Sequence, residues 1–343
     1  MKTIKINDRL IGPGHPAYIV AEMSSNHCQS LPKAIKIIET AQKAGADAVK
    51  IQTYTPDTIT IDCKNDNFIF QGKTLYDLYK EAYTPWEWHP QLKKVAAKLN
   101  IDLFSSPFDA SAVDFLEKMK VPAYKIASSE IIDIPLLRKV AATGKPVVLS
   151  TGMATREEIR AAVRAIYETG NKKVALLKCT ASYPAPSKDM NLRTLPDLAK
   201  SFGVVVGLSD HTMGNETSVA AIALGASIIE RHITLSRSNK SPDSEFSLEP
   251  DEFKEMVDAI RVVEDALGEV KYGPQGRESV SKKYRRSLFV VEDMARGEAI
   301  NERNVRSIRP SQGLKPEALP DIIGRKIRKD LKKGTPLSWD LLK

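Results

Sequence analysis

The sequence predicts an α/β fold: a parallel (β/α)8 barrel followed by a small β-rich C-terminal module. Three observations carry that expectation. Eight short β-prone runs alternate with longer amphipathic stretches from residue 18 to about residue 265, which is the arithmetic of an eight-stranded parallel barrel. No glycine fingerprint for dinucleotide binding follows the first run, as a doubly wound nucleotide-binding sheet would show. Beyond Gly268 the texture changes to polar turns and short strands. Periodicity alone leaves a doubly wound open sheet as the alternative.

The eight runs are "YIVAEM", "DAVKIQT", "IDLFSS", "AYKIAS", "PVVLSTG", "VALLKCT", "VVVGLSD" and "SIIERHI". Between them lie helical patterns such as "LPKAIKIIETAQKAG" and "EEIRAAVRAIYETG". The second opens at Thr155 with Glu158 three residues on, the spacing of a capping box. Gly170 stands where that helix should stop. Residues 1–268 therefore read as the barrel. Residues 269–283, "EVKYGPQGRESVSKK", read as a linker. Residues 284–343 read as a β-rich module of about 60 residues, a size at which few folds are robust alone.

Composition narrows the function classes. The chain is 42% hydrophobic and 27% charged over 343 residues, ordinary for a folded protein. No run approaches the roughly 18 apolar residues of a membrane span, and "MKTIKINDRL" lacks the apolar centre of a signal peptide. Cys28, Cys63 and Cys179 are odd in number and show no metal-ligand spacing, so a reducing cytoplasm is expected. The formal net charge is +8, with basic clusters at "SKKYRRS" and "GRKIRKDLKKG". There is no zinc-finger spacing or stacked-aromatic motif, so neither nucleic acid nor membrane is expected as a partner. An anionic small substrate is the better use of positive charge.

The chemistry gathers at the ends of the runs, where a barrel builds its active site. Successive runs end in or carry Glu22; Lys50 and Gln52; Ser105 and Ser106; Lys125, Ser128 and Glu130; Ser150 and Thr151; Lys178, Thr180 and Tyr183; Ser209 and His211; and His232. A single strand-end serine usually satisfies loop backbone; recurrence at one end of successive strands argues for a site. His211 and His232 lie 21 residues apart, about one helix with its turns. On neighbouring strands they would converge on one ion, and two imidazoles plus oxygen ligands suit a divalent transition metal. Separate, hydrogen-bonded histidines are the competing reading. Lys50 and Lys125 sit inside apolar runs, which is costly for an ammonium group without an anionic partner. A phosphate or carboxylate ligand would meet that cost; so would a buried Glu22 or Glu130.

These residues carry a family resemblance. "VAEMSSNH", "KIQTYTPDTI", "FSSPFD", "YKIASSE", "LSTGM", "KCTASYP", "GLSDHT" and "IERHIT", in that order, resemble the sialic acid synthase family. "RRSLFVVEDMARGEAINERNVRSIRPSQGL" resembles its antifreeze-like, or SAF, domain. The resemblance implies a TIM barrel with a C-terminal SAF (β-clip) domain. It also implies condensation of phosphoenolpyruvate with an N-acetylated amino sugar to a nine-carbon 2-keto acid and free phosphate. "IQTYTPD", "TPWEWH", "SSPFD" and "PDSEFSLEP" look most like the pseudaminic acid branch, whose implied acceptor is 2,4-diacetamido-2,4,6-trideoxy-L-altrose. Legionaminate or neuraminate synthesis is the runner-up. Ala181 stands where the neuraminate branch has an asparagine, which removes one amide from the phosphate side.

Carried over by motif, Ser106, Lys125, Ser128 and Ser209 would grip the phosphate of phosphoenolpyruvate, with Lys50 and Ser150 near its phosphate and carboxylate. His211 and His232 would hold the metal, Mn2+ first with Mg2+ or Co2+ as alternatives. Gln52, Tyr183 and Asp243 would meet the sugar, with Glu130 beside them, and Glu22 would orient or deprotonate a water. Arg309 would reach from the C-terminal domain into a partner's barrel, so a domain-swapped homodimer is implied. A pyruvate-dependent aldolase and a non-catalytic carbohydrate- or ice-binding protein are the rival functions.

Overall fold

The protein is described here from a computed structural model, which covers residues 3–70 and 72–343. The chain forms two compact units, Met1–Gly268 and Glu269–Lys343. In the first, eight parallel strands close a barrel: β1 (Tyr18–Glu22), β2 (Ala48–Thr53), β3 (Asp102–Pro107), β4 (Tyr124–Ile126), β5 (Val147–Ser150), β6 (Val174–Cys179), β7 (Val205–Asp210) and β8 (Ile228–His232). Each expected run supplied one strand, and β8 pairs with β1 to close the ring. The open doubly wound sheet is thereby excluded.

Alternation along the strands divides the apolar residues between two cores. Ile19, Val49, Leu103, Leu149, Leu176 and Ile229 face outward and pack under the surrounding helices. Tyr18, Val20, Ala48, Phe104, Val148 and Ile228 face the lumen and form a separate cluster. That inner cluster includes Ile4, Ile6 and Ile11, from a hairpin of Ile4–Ile6 against Arg9–Ile11. A period of two fills the lower barrel with hydrocarbon and leaves the upper, C-terminal end to polar side chains.

The helices follow their sequence signals. Thr155 and Glu158 form the capping box of helix Arg156–Glu168, and Gly170 follows with φ +88°. Among the described residues no helix is long and apolar enough to cross a membrane.

Gly207 in β7 shows how tightly the barrel wall is packed. A Cβ there would lie 2.4 Å from the Ile228 carbonyl oxygen and 2.7 Å from both Ile228 Cβ and Leu177 Cδ2. Neither the neighbouring strand's backbone nor a buried leucine can step aside cheaply. Gly207→Ala is expected to destabilise the protein by about 1–3 kcal/mol, the usual range for overpacking. A thermal denaturation midpoint equal to wild type would contradict this account.

The second unit pairs β9 (Ser287–Val290) antiparallel with β10 (Val305–Ile308) and adds isolated bridges such as Phe289 to Pro336 and Ile327 to Leu342. It has a core of its own around Leu288, Val290, Ile300, Val305, Ile327 and Leu337. Residues 269–283, expected as a linker, carry a short helical turn, Glu278–Ser281, and run into a 3-10 turn, Lys282–Tyr284. The formal net charge of +8 resides wholly in residues 269–343, since acidic and basic side chains balance in residues 1–268.

Candidate functional site

Seven barrel strands and the loops after them meet over a pocket of about 210 Å³ at the C-terminal end of the barrel. Its lining includes Lys50, Gln52, Lys125, Ser128, Ser150, Tyr183, Ser209, His211, His232 and Asp243. A roomier cleft of about 1360 Å³ opens at the opposite end, among Pro16, Lys200, Val204, Ser227, Arg261 and Glu264. It brings together neither a lysine pair nor an imidazole pair, so the chemistry points to the smaller pocket.

Both strand lysines point inward and are buried. Lys50 Nζ lies 2.7 Å from Glu22 Oε2 and 3.7 Å from Glu230 Oε1, and it donates to Ser106 Oγ at 3.3 Å. Lys125 Nζ lies 3.6 Å from the same Glu230 oxygen and donates to Ser150 Oγ at 2.7 Å. Ser209 Oγ donates to Glu230 Oε1 at 3.0 Å. Two ammonium groups are thus balanced by two carboxylates, one of them shared. This balance is how the barrel tolerates four charges out of water.

The balance sets the acidities. Burial raises the Glu22 carboxyl, and Lys50 only partly offsets it, so the group titrates above the ordinary carboxylate range. Burial acts the same way on Glu230, but Lys125 and Lys50 outweigh it and hold that carboxyl low. Burial also lowers Lys125, with partial compensation from Glu230. Glu22 is therefore the stronger base of the two carboxylates. Its Oε1 accepts from Gln52 Nε2 at 3.0 Å, and that amide also donates to Ser24 Oγ.

Continuing the β7–β8 register, in which Ser209 faces Glu230 and Asp210 faces Arg231, brings His211 and His232 side by side. Their ring centroids are 5.3 Å apart. His211 Nδ1 lies 3.0 Å from the Thr180 carbonyl oxygen. A carbonyl only accepts, so Nδ1 carries a proton, and in the neutral ring Nε2 is the nitrogen whose lone pair a metal would take. His232 Nδ1 is buried without a hydrogen-bond partner among the described residues. Burial and the nearby His211 hold His232 neutral, although Asp243 opposes them. A neutral, buried, unpartnered imidazole nitrogen beside a second available imidazole fits a divalent cation. No cluster of three or more His, Cys, Asp or Glu side chains suited to a metal occurs among the described residues. The protein would supply two nitrogens, with oxygens of water and substrate for the rest.

Asp243 is drawn over the mouth by Ser24 Oγ at 2.5 Å and Ser25 Oγ at 2.7 Å. Tyr183 packs on His211 with ring centroids 4.3 Å apart. Glu130 is half-buried, is not among the lining residues, and is pushed up to about 7 by burial. Arg309 is exposed in the C-terminal unit, just after β10.

Three residues of the site were not singled out from the sequence. Glu230, the shared counter-ion, is the first, and alternation could have found it because it precedes His232 by two. Phe246 is the second; its ring lies 4.9 Å from that of His232 and 5.0 Å from that of Tyr183, and no local pattern announced it. Cys179 is the third. It ends β6, and its Sγ lies 4.0 Å from His211 Nδ1. His27 and His89 are ordinary core histidines: His27 bonds Thr84, and His89 bonds Thr53 and the Pro85 carbonyl.

The NeuB family profile matches residues 37–272. The chain belongs to the NeuB family. A SAF domain profile matches residues 285–343, so both segments of the resemblance read from the sequence are present. Among NeuB-family relatives, a Helicobacter pylori protein named pseudaminic acid synthase is 44% identical over 332 residues, spanning 95% of this chain and 97% of that protein. A Campylobacter jejuni protein of the same name is 45% identical, spanning 93% and 95%. The solved structure of N-acetylneuraminic acid synthetase from Leptospira borgpetersenii superposes with a TM-score of 0.75 at 33% identity, covering 82% of this chain and 95% of that one.

Proposed function

We infer that the chain is a nonulosonic acid synthase. It condenses phosphoenolpyruvate with 2,4-diacetamido-2,4,6-trideoxy-L-altrose and water to give pseudaminic acid and phosphate. One observation carries the reaction class: two buried ammonium groups and two neighbouring imidazoles open onto a single pocket at the barrel's C-terminal end. Identity of 44–45% to proteins named pseudaminic acid synthase supports the choice of acceptor.

Lys125, Ser106, Ser128 and Ser209 bind the phosphate, and Lys50 with Ser150 holds the carboxylate side of phosphoenolpyruvate. Gln52, Tyr183 and Asp243 hold the sugar, while Glu130, expected beside them, stands outside the pocket lining and is given no contact. His211 and His232 hold a divalent metal, Mn2+ by preference, which when bound supplies Lewis-acid polarisation of the sugar aldehyde. Carbon 3 of phosphoenolpyruvate bonds to the aldehyde carbon, whose oxygen takes up a proton. The cationic centre left at carbon 2 accepts a water, and Glu22 takes that water's proton. The resulting hydroxyl then loses its proton as the bond between carbon 2 and the phosphate-bridging oxygen breaks. The ketone forms and the oxygen departs with phosphate. Lys50 and Lys125 stabilise the departing anion from fixed positions, without the reorganisation water would need.

Arg309 completes the sugar end from a second copy's C-terminal domain, in a domain-swapped homodimer. The enzyme works in the cytoplasm, in keeping with three free cysteines. The deciding experiment supplies purified enzyme with phosphoenolpyruvate, Mn2+ and, separately, the diacetamido-altrose, the legionaminate precursor and N-acetylmannosamine. One phosphate released per sugar consumed, fastest with the first sugar and abolished by chelation, is the expected result. Release with another sugar alone would overturn the acceptor. Turnover of free pyruvate without phosphate release would overturn the reaction class.

A further inference from the structure

The two residues that alternate with the inward-facing site residues of β7 and β8 point the other way and pair with each other. Asp210 and Arg231 are fully buried, with Arg231 Nη1 2.6 Å from Asp210 Oδ2. Each immediately precedes one of the paired histidines. Arg231 also reaches the chain beyond His211: Nη1 donates to Thr212 Oγ1 at 3.3 Å, and Nη2 donates to the Thr212 carbonyl and, at 2.8 Å, to the Gly214 carbonyl. Asp210 in turn accepts from the Thr212 amide at 2.9 Å, Thr217 Oγ1 at 2.6 Å and Ser218 Oγ at 2.7 Å. Residues 210, 212 and 214 are therefore tied to the residue that precedes His232, by a guanidinium whose fork fixes direction as well as distance.

A barrel does not need this pair for register, since the β7–β8 ladder already runs from Leu208–Ile229 to Asp210–Arg231. The ladder stops at Asp210, and His211 stands outside the strand, held by the Ala185 amide on its carbonyl oxygen at 2.9 Å and by the Thr180 carbonyl on its ring at 3.0 Å. Those two bonds tie His211 to the loop after β6 and not to β8, so they do not by themselves set its ring 5.3 Å from that of His232.

We propose that the Asp210–Arg231 pair is a positioning clamp that holds His211 and His232 at the separation at which they share one divalent cation. The inference rests on the two-histidine metal reading. It adds two residues to the site that touch neither metal nor substrate.

The test is a titration of the full-length protein with Mn2+, read by the loss of the free-ion electron paramagnetic resonance signal. Wild type, His211→Ala and Arg231→Lys are compared. Lysine keeps the charge but cannot span Asp210 and two carbonyls. Arg231→Lys is expected to weaken Mn2+ binding about 10–100-fold, the range seen when a partner behind a metal ligand is lost. His211→Ala should abolish binding. Lower thermal stability of Arg231→Lys with unchanged Mn2+ affinity would make the pair merely structural and overturn the clamp alone. Failure of wild type to bind Mn2+, or retained affinity in His211→Ala, would overturn the metal reading and the clamp together. If Arg231→Lys does not fold, Thr217→Val decides. It removes one half-buried donor to Asp210 and is expected to weaken binding several-fold; wild-type affinity would overturn the clamp.

Discussion

His211→Ala protein folds, retains no divalent metal and loses activity by more than about a hundredfold, beyond the usual loss when only an outer partner of a ligand is removed. The fold survives because His211 follows β7 rather than forming part of it, its ring's one hydrogen bond within 3.5 Å among the described residues is to a loop carbonyl, and the bond from the Ala185 amide to its own carbonyl oxygen does not depend on the side chain. Metal is lost because a single imidazole and water cannot match two imidazoles sharing one ion. Elemental analysis of the purified protein, with phosphate release as the activity readout, checks both halves. Full activity after chelation and desalting, in wild type or variant, would refute a metal role for the pair. A melting midpoint far below wild type would mean that His211 is a structural member of the loop instead.

Glu22→Gln protein is expected to lose roughly 10²–10⁴-fold in kcat, the range for removing a general base, with KM for phosphoenolpyruvate changed far less. The substitution keeps the size of the side chain and its bond from Gln52. It takes away one carboxylate facing Lys50, but Glu230 at 3.7 Å and Ser106 at 3.3 Å remain, so the ammonium group is not orphaned. The pH profile adds a second readout. Burial places the Glu22 carboxyl above the ordinary range. A base must be deprotonated to act, so wild-type kcat falls as pH drops through that raised value. The same acid limb should vanish in Glu22→Gln. A variant whose kcat stays within a few-fold of wild type would reduce Glu22 to a counter-ion of Lys50.

A carboxylate serving both as counter-ion and as base explains why the two carboxyls differ. Glu230 sits between both lysines and is held ionised by them, which makes it a poor proton acceptor. Glu22, raised by burial, meets one lysine only and is raised further by the neighbouring Glu230 charge, which makes it the better one. Two like side chains on adjacent strands thus take opposite roles through the number of cations each faces.

Much of this architecture was legible in the chain itself. Each of the eight apolar runs became a barrel strand, because buried parallel strands are continuous hydrophobic segments with few other places to go. The strand-end histidines and lysines stood out because a polar group closing an apolar run needs a partner. The Thr155–Glu158 cap was readable because its two bonds lie within three residues.

What the tertiary structure alone decided involves partners distant in sequence or hidden by symmetry of role. Asp243 comes to the site through Ser24 and Ser25, 219 and 218 residues away. The Ile4–Ile6 hairpin enters the lower barrel only because eight strands leave an apolar layer there for it to cover. Glu230 and Arg231 are adjacent and both charged, and nothing in their spelling says which meets the lysines and which meets Asp210. The pleat sends one into the lumen and the other into the wall. Sequence by itself determines the period of two, but only the closed barrel determines which phase of that period faces the chemistry.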